Sequence, residues 1–123
     1  MPAMTVEPEH NRVVLGVSYD KGRLLARMDV LKLTGTTGIP ASSKAAAFGA
    51  ITQSILDLLV IAADVPDDDK IEITKEFRSK QRGKVIWART KESKSEIQPD
   101  AYVKPNSPGE LAMVMVKMLR KKK

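Results

Sequence analysis

Residues 57–69 read DLLVIAADVPDDD and join the two halves of this 123-residue chain. Within them, Leu58–Ala63 is the longest apolar run, and its six residues fall well short of a membrane span, which needs about 20. Ser42 or Ser43 can cap a helix that starts upstream and includes this run. Apolar residues at spacings of three and four would form its buried stripe: Phe48, Ile51, Ile55, Leu58, Leu59 and Ala62. We therefore predict a central helix that ends near Asp64, where the Val-Pro-Asp sequence breaks it.

The segment before this helix favours a β-hairpin. Apolar residues alternate with others from Val13 to Tyr19, which predicts a strand. Asp20-Lys21-Gly22 is a good hairpin turn because glycine supplies the left-handed conformation. Residues 23–34 fit either a strand or a helical face, and the turn before them favours a strand. Residues 35–40, with two glycines and a proline, predict a loop.

The segment after the junction favours a second hairpin and a second helix. Apolar and polar residues alternate from Ile71 to Phe77, and Val85–Ala88 is a short apolar run, so both are predicted to be strands. Residues 92–106 are rich in Ser, Pro, Asp and Asn and predict a long loop. The sequence Ser107-Pro108-Gly109-Glu110 matches a capping box with proline at the first helical position, which predicts a final helix.

The predicted fold class is therefore α+β, with two β-hairpin-plus-helix units (ββαββα) in one sheet-and-helix domain. Residues 1–11 are predicted to be a flexible tail, 12–121 the single domain and 122–123 a basic end. A hydrophobic content of 42% is sufficient for a buried core. The absence of cysteine excludes disulfides and thiolate chemistry and fits a reducing compartment. With no secretory signal visible, we expect a cytoplasmic protein, in the host cytoplasm if it is viral.

The charge of the chain is distributed unevenly between its halves. Residues 1–69 contain six Lys and Arg against nine Asp and Glu, whereas residues 70–123 contain fifteen against six. The net charge of +6 therefore comes entirely from the second half. A one-sided positive field concentrates polyanions at one face of a small domain. Nucleic acid is the polyanion that we expect it to meet.

Basic residues at a spacing of two form the sharpest local pattern. If the predicted strands extend into their connection, such residues share one face. Their spacing of roughly 6–7 Å would match successive phosphates of a single strand. A flat aromatic among arginines and lysines suits base stacking. The candidate nucleic-acid-binding residues are Arg78, Lys80, Arg82, Lys84, Trp87, Arg89, Lys91 and Lys94.

Several of these features also have structural explanations. A core position is the favoured interpretation of Trp87 alone, because Val85 and Ile86 beside it are apolar. The glycine-threonine sequence at 35–38, with Lys44 behind it, does not have the spacing of a phosphate-binding loop. The aspartates at 67–69 lack the spacing of a calcium loop and are predicted to be a solvated turn. No catalytic, metal or cofactor residues are predicted, and we do not expect an enzyme.

We predict a nucleic-acid-binding protein that prefers single strands, DNA over RNA, with little sequence selectivity. The alternative is a small interaction module that docks its basic face on an acidic protein partner such as a polymerase. The size, the basic carboxyl half and the mixed layout resemble small phage-encoded single-stranded-DNA-binding proteins that serve as RNA polymerase cofactors. This resemblance implies an accessory role in transcription or replication and assigns no residue. The apolar central helix and Met-rich last helix are compatible with a homodimer, and no membrane partner is expected.

Overall fold

In the computed structural model, which describes residues 12–20, 22, 28, 36–105 and 107–119, five strands form one parallel sheet. The strand order is β2-β1-β3-β4-β5, and every neighbouring pair is parallel. In chain order the elements are β1 (Val13–Val17), β2 (Thr37–Ala41), α1 (Lys44–Gln53), β3 (Leu58–Ile61), α2 (Asp67–Lys80), β4 (Lys84–Ala88), β5 (Ala101–Val103) and α3 (Pro108–Leu119). The predicted α+β fold is therefore wrong, because its hairpins require antiparallel strands.

The apolar run in the middle of the chain is a strand and not the end of a helix. Strand β3 is buried along its whole length and pairs with β1 on one side and β4 on the other. A strand of a parallel sheet with both faces covered is continuously apolar, so its periodicity does not distinguish it from a buried helix. The preceding helix α1 ends at Gln53, and the predicted helix to Asp64 is wrong beyond that residue.

The third predicted strand is the helix α2. Its buried residues, Lys70, Ile73, Thr74 and Phe77, are separated by three, one and three positions, which is helical spacing. The aspartates at 67–69 occupy its first turn, where negative charge stabilises the helix dipole. The alternation seen in the sequence is a by-product of that helical stripe.

The predicted hairpin after β1 is also wrong in the described part of the chain. Both neighbours of β1 are parallel to it, and Gly22 and Met28 are helical. The side chain of Met28 fills the space above Gly16, where a Cβ would lie 2.7 Å from the Met28 methyl carbon. Apart from Met28, the segment at 23–34, which fits a strand or a helix, lies outside the described residues, as do the predicted tail at 1–11 and the basic end at 122–123.

Other predictions were confirmed. Ser43 caps α1, since its Oγ accepts a hydrogen bond from Ala46 N at 3.0 Å. The first and fourth predicted strands correspond to β1 and β4, and the last helix to α3. Two short strands lie in segments predicted to be loops. One is β2, which accommodates Pro40 because it is an edge strand; the other is β5.

Two apolar layers cover the two faces of the sheet. On one face, α1 and α2 pack on a layer that includes Leu15, Leu59 and Trp87. On the other, α3 contributes Leu111 and Met115 to a second layer with strand residues from β1, β3, β4 and β5. Among the described residues, no helix has the length and hydrophobicity needed to cross a membrane. The two layers leave the ends of the strands as the positions where polar groups can gather.

Candidate functional site

The carboxyl ends of the parallel strands meet at one edge of the sheet, which also contains the change in strand order. Strand β1 lies between β2 and β3, so the order reverses beside it. In open parallel sheets, ligands bind outside the carboxyl ends of the strands at such a point. The segments that follow β1, β3 and β4 are therefore the candidate site.

A serine directly after β1 and an aspartate three residues after β3 form a closed hydrogen-bond network. The hydroxyl of Ser18, a fully buried residue, donates to Asp64 Oδ1 at 2.9 Å. The backbone N–H of Asp20 donates to Asp64 Oδ2 at 2.8 Å. Both carboxylate oxygens of Asp64 are thus hydrogen-bonded within the protein, which stabilises the turns after the two central strands.

A second carboxylate at this edge, Asp67, is held between two cations. Arg89, which follows β4, binds it in a forked geometry, with Nε 3.2 Å from Oδ1 and NH2 2.8 Å from Oδ2. Lys70 Nζ lies 3.5 Å from Asp67 Oδ1 and donates to the carbonyl oxygen of Val65 at 2.8 Å. The Arg89 hydrogen bonds lower the pKa of Asp67, and burial lowers the pKa of the Lys70 ammonium.

A third group connects helix α1 with the start of α2. The Tyr19 hydroxyl donates to Asp69 Oδ2 at 2.8 Å, and burial together with this carboxylate raises the pKa of Tyr19. Lys44 Nζ lies 2.6 Å from Glu72 Oε1 and 3.5 Å from Asp69 Oδ1. The hydrogen bond to Glu72 raises the pKa of Lys44. Lys44 is therefore bound by carboxylates of α2. This contact agrees with the interpretation that residues 35–38 and Lys44 do not form a phosphate-binding loop.

The end of the central strand carries no polar side chain. The residues that directly follow β3 are Ala62 and Ala63, whose methyl groups can neither bind an ion nor attack a substrate. In the described part of the chain, no group of three or more His, Cys, Asp or Glu residues could hold a metal ion. Asp64, Asp67 and Asp69 make contacts that connect the segments at this edge.

We expect the ionisation of Asp67 to make the free energy of unfolding depend on pH in the acid range. Because its pKa is lower in the folded protein than its ordinary value of 3.8, the unfolded chain binds more protons, and the stability from this contact is lost as pH falls through the folded pKa. Urea unfolding at a series of pH values below about 4, the ordinary pKa of an aspartate, should therefore show a steeper loss of stability with falling pH in the wild-type protein than in an Asp67→Asn variant. An Asp68→Asn variant should keep the wild-type slope, because Asp68 is exposed. Equal slopes for the wild-type protein and Asp67→Asn would contradict the contact.

The first four predicted nucleic-acid-binding residues lie at the opposite edge of the sheet, where the strands begin. Arg78 and Lys80 are in the last turn of α2, Arg82 is in the following connection and Lys84 is the first residue of β4. The predicted extended face is therefore wrong, since two of the four are helical. All four are exposed.

Ion pairs engage half of this basic group. Arg78 NH2 lies 3.4 Å from Asp100 Oδ2. Lys80 Nζ lies 3.0 Å from Glu76 Oε2, one helical turn earlier. The other two members of this group, Arg82 and Lys84, make no ion pair within the described residues.

The remaining predicted residues lie elsewhere. Arg89, Lys91 and Lys94 follow the carboxyl end of β4, and the Arg89 guanidinium also donates to the Lys91 carbonyl oxygen. Trp87 is fully buried, and its indole Nε1 donates to Thr74 Oγ1 at 3.0 Å. The favoured core interpretation of Trp87 is confirmed, and its buried ring presents no face to a base. Among the described residues, the basic side chains of the second half do not converge on one surface.

Sequence reasoning missed the residues of the carboxyl edge and also misplaced one apolar residue. Ser18, Asp64 and Arg89 each follow a buried strand by one to three positions. In a parallel sheet, such positions indicate residues at the carboxyl edge, where ligands bind. The predicted helix placed Ile55 in its buried stripe, but Ile55 is 86% exposed in the connection between α1 and β3.

Comparison with solved structures shows which proteins share this fold. A two-component response regulator from Clostridium difficile has a TM-score of 0.77 at 19% identity, covering 90% of this chain and 98% of that one. A CheY-like response regulator receiver domain from Methylobacillus flagellatus has a TM-score of 0.75 at 15% identity, covering 89% of this chain and 99% of that one. The chain has the fold of response regulator receiver domains. A receiver domain protein from Bacillus halodurans agrees, with a TM-score of 0.72 at 19% identity, covering 91% of this chain and 100% of that one.

At these identities the likeness to receiver domains concerns the fold alone. The sequence matches no protein-family model and no curated protein. The resemblance to phage single-stranded-DNA-binding proteins is wrong, because the solved structures that share this fold are receiver domains. The same comparison contradicts three further predictions: a viral transcription cofactor, a single-stranded nucleic acid as ligand and DNA binding as the main function. The alternative, a protein-interaction module, fits the receiver fold better.

Proposed function

We propose that this chain is a non-enzymatic protein-interaction module with a receiver-like fold, which acts by docking on an acidic protein partner in the cytoplasm. The response regulators that share the fold supply the signalling context. The absence of cysteine supports a reducing compartment. The net charge of +6 supports a partner of opposite charge, because complementary potentials accelerate encounter and exclude wrong partners.

The observation that carries this proposal is the state of the carboxyl edge. A module that accepts a chemical group there needs a nucleophilic side chain at the end of the central strand. The central strand β3 is followed by Ala62 and Ala63. The next carboxylate, Asp64, has both oxygens hydrogen-bonded, and Asp67 is engaged by Arg89 and Lys70. These residues therefore favour a protein that acts by binding a partner through its surface.

The proposal predicts that a phosphoryl donor leaves the protein unmodified. The full chain, incubated with acetyl phosphate and Mg²⁺, should show no phosphoryl adduct by intact-mass spectrometry. The physical reason is that Ala62 and Ala63, and not a carboxylate, directly follow β3. A stoichiometric adduct that maps to the segments after β1, β3 or β4 would overturn the proposal and would assign group transfer to the fold instead.

A further inference from the structure

At the amino edge of the sheet, an exposed apolar side chain lies among cations. Ile55 is the most exposed large apolar residue of the described chain, at 86%. Arg82 and Lys84, in the neighbouring connection and at the start of β4, are exposed as well. We call these three residues the amino-edge patch. Exposed leucines and isoleucines are ordinary singly, so the argument depends on how this one is held and on what surrounds it.

The side chain of Gln81 fixes the backbone on both sides of Ile55. Gln81 Oε1 accepts a hydrogen bond from Leu56 N at 3.0 Å, and Gln81 Nε2 donates to Ser54 O at 2.6 Å. The same amide donates to Ile51 O at the end of α1 at 2.9 Å. Ile55 is therefore displayed on a connection held by three hydrogen bonds, which reduces the entropy that a bound partner would have to remove.

The two connections that carry the patch are also in direct contact. A Cβ built on Gly83 would lie 2.3 Å from the carbonyl oxygen of Asp57, so the two backbones touch at this point. One residue further on, Leu58 of β3 is in register with Lys84 of β4. The apolar and basic members of the amino-edge patch are thus neighbours on a rigid base and not on independent loops.

The carboxylates at this edge make their described contacts with groups outside the patch. Asp57 Oδ2 accepts a hydrogen bond from Val13 N at 2.8 Å, and Asp100 Oδ2 accepts one from Val85 N at 2.8 Å. Asp100 also forms an ion pair with Arg78. Within the ranges that the structure describes, Arg82 and Lys84 make no ion pair, so the patch combines an exposed aliphatic group with two cations that no described carboxylate contacts.

From this juxtaposition we infer that the amino-edge patch is the docking surface for an acidic segment of the partner protein, which places an apolar side chain on Ile55 and carboxylates on Arg82 and Lys84. This inference rests on the proposed function and names the surface that performs it. The patch follows the usual composition of a small interface, with an apolar centre and a charged rim. A second copy of this chain is a poor occupant, since the patch would meet its own positive charge.

The same observations favour a protein over a nucleic acid. Single-stranded nucleic acid is bound by aromatic platforms for the bases together with cations for the phosphates. The sole tryptophan, Trp87, is buried in the core, and the aromatic-free patch offers Ile55 in place of a platform. An isoleucine beside cations instead suits a peptide that alternates apolar and acidic side chains.

The test uses the full ¹⁵N-labelled chain and three synthetic peptides of equal length. The first alternates glutamate with leucine, the second has serine for leucine, and the third has glutamine for glutamate. We expect the first peptide to shift the amide resonances of residues 54–57 and 81–84, with an affinity that falls as salt is added. The second should bind more weakly because it lacks the contact with Ile55, and the third should not bind.

Substitutions test whether the peptide binds at the amino-edge patch. Arg82→Glu should weaken binding of the first peptide by about tenfold or more, and Ile55→Ser should weaken it while leaving its salt dependence intact. Lys91→Glu is the matched control, because it changes the net charge equally but lies beyond the carboxyl end of β4. All three side chains are exposed, so the variants should keep the wild-type urea midpoint.

Four results would overturn the inference. The first is the absence of any shift with the glutamate-leucine peptide, and the second is a shift confined to another surface, such as Met113 and Val116 of α3. The third is an equal loss of binding in Lys91→Glu and Arg82→Glu, and the fourth is equal binding of a single-stranded oligonucleotide at the patch. None of these results produces a phosphoryl adduct, so the failure of the surface is distinguishable from the failure of the proposed function.

Discussion

A Trp87→Ala variant should lose about 3–5 kcal/mol of unfolding free energy, which is the usual cost of truncating a buried tryptophan. Trp87 is completely buried in strand β4, between its neighbours in the layer under α1 and α2. Its ring meets that of Tyr102 edge to face, with centroids 6.1 Å apart and planes at 86°. Because small domains are stable by only about 5–15 kcal/mol, this loss should be visible as a much lower urea midpoint by far-UV circular dichroism.

A Trp87→Phe variant separates the packing from the hydrogen bond. It keeps an aromatic ring but removes the indole N–H that donates to Thr74 Oγ1, so we expect a smaller loss of about 1–2 kcal/mol. Ile55→Ala is the control for an exposed truncation and should change stability by less than about 0.5 kcal/mol. If Trp87→Ala unfolds at the wild-type urea concentration, the tryptophan is not part of the core.

A Gly83→Ala variant should be destabilised by about 3 kcal/mol, at the upper end of the usual cost of overpacking. The added Cβ would lie 2.3 Å from the carbonyl oxygen of Asp57 and 2.6 Å from its carbonyl carbon. It would also lie 3.1 Å from the Phe77 ring, so the backbone of one connection must move away from the other. The measurement is again urea unfolding.

The matched control is Gly49→Ala in helix α1. A Cβ at Gly49 meets nothing within 4 Å, so the substitution adds helix propensity without a clash and should stabilise the protein by about 0.5–1 kcal/mol. Opposite signs for the same chemical change at the two positions are the expected result. A Gly83→Ala variant as stable as the wild-type protein would contradict the close approach of the two connections.

Local signals in the sequence were sufficient for some elements. Alternation located β1, a short apolar run located β4, and the proline and glutamate at 108–110 marked the start of α3. Two serines were candidate caps for α1, and one of them, Ser43, is the cap. Each of these elements can be recognised from its own residues, either from a capping residue or from the spacing of its apolar residues. For the same reason, Trp87 could be assigned to the core from its apolar neighbours.

The candidate sites were beyond such local reasoning. Arg78, Lys80, Arg82 and Lys84 alternate along the sequence, but a helix ends and a strand begins among them, so their spacing does not place them on one face. Ile55 occupies a helical position in the pattern, but α1 ends two residues before it. The contact between Asp67 and Arg89 joins residues 22 positions apart, whose proximity depends on the parallel pairing of β3 and β4.

The amino-acid sequence by itself determined the asymmetry of charge, the absence of cysteine chemistry and the identity of those elements whose ends and periods are marked locally. Only the tertiary structure decided that the run at 58–61 is a strand, because a segment buried on both faces has no period that distinguishes strand from helix. That one assignment makes the sheet parallel and gathers the strand ends into two edges. Arg82, Lys84 and Ile55 then share the amino edge, while Asp64, Asp67 and Asp69 at the carboxyl edge are engaged within the fold.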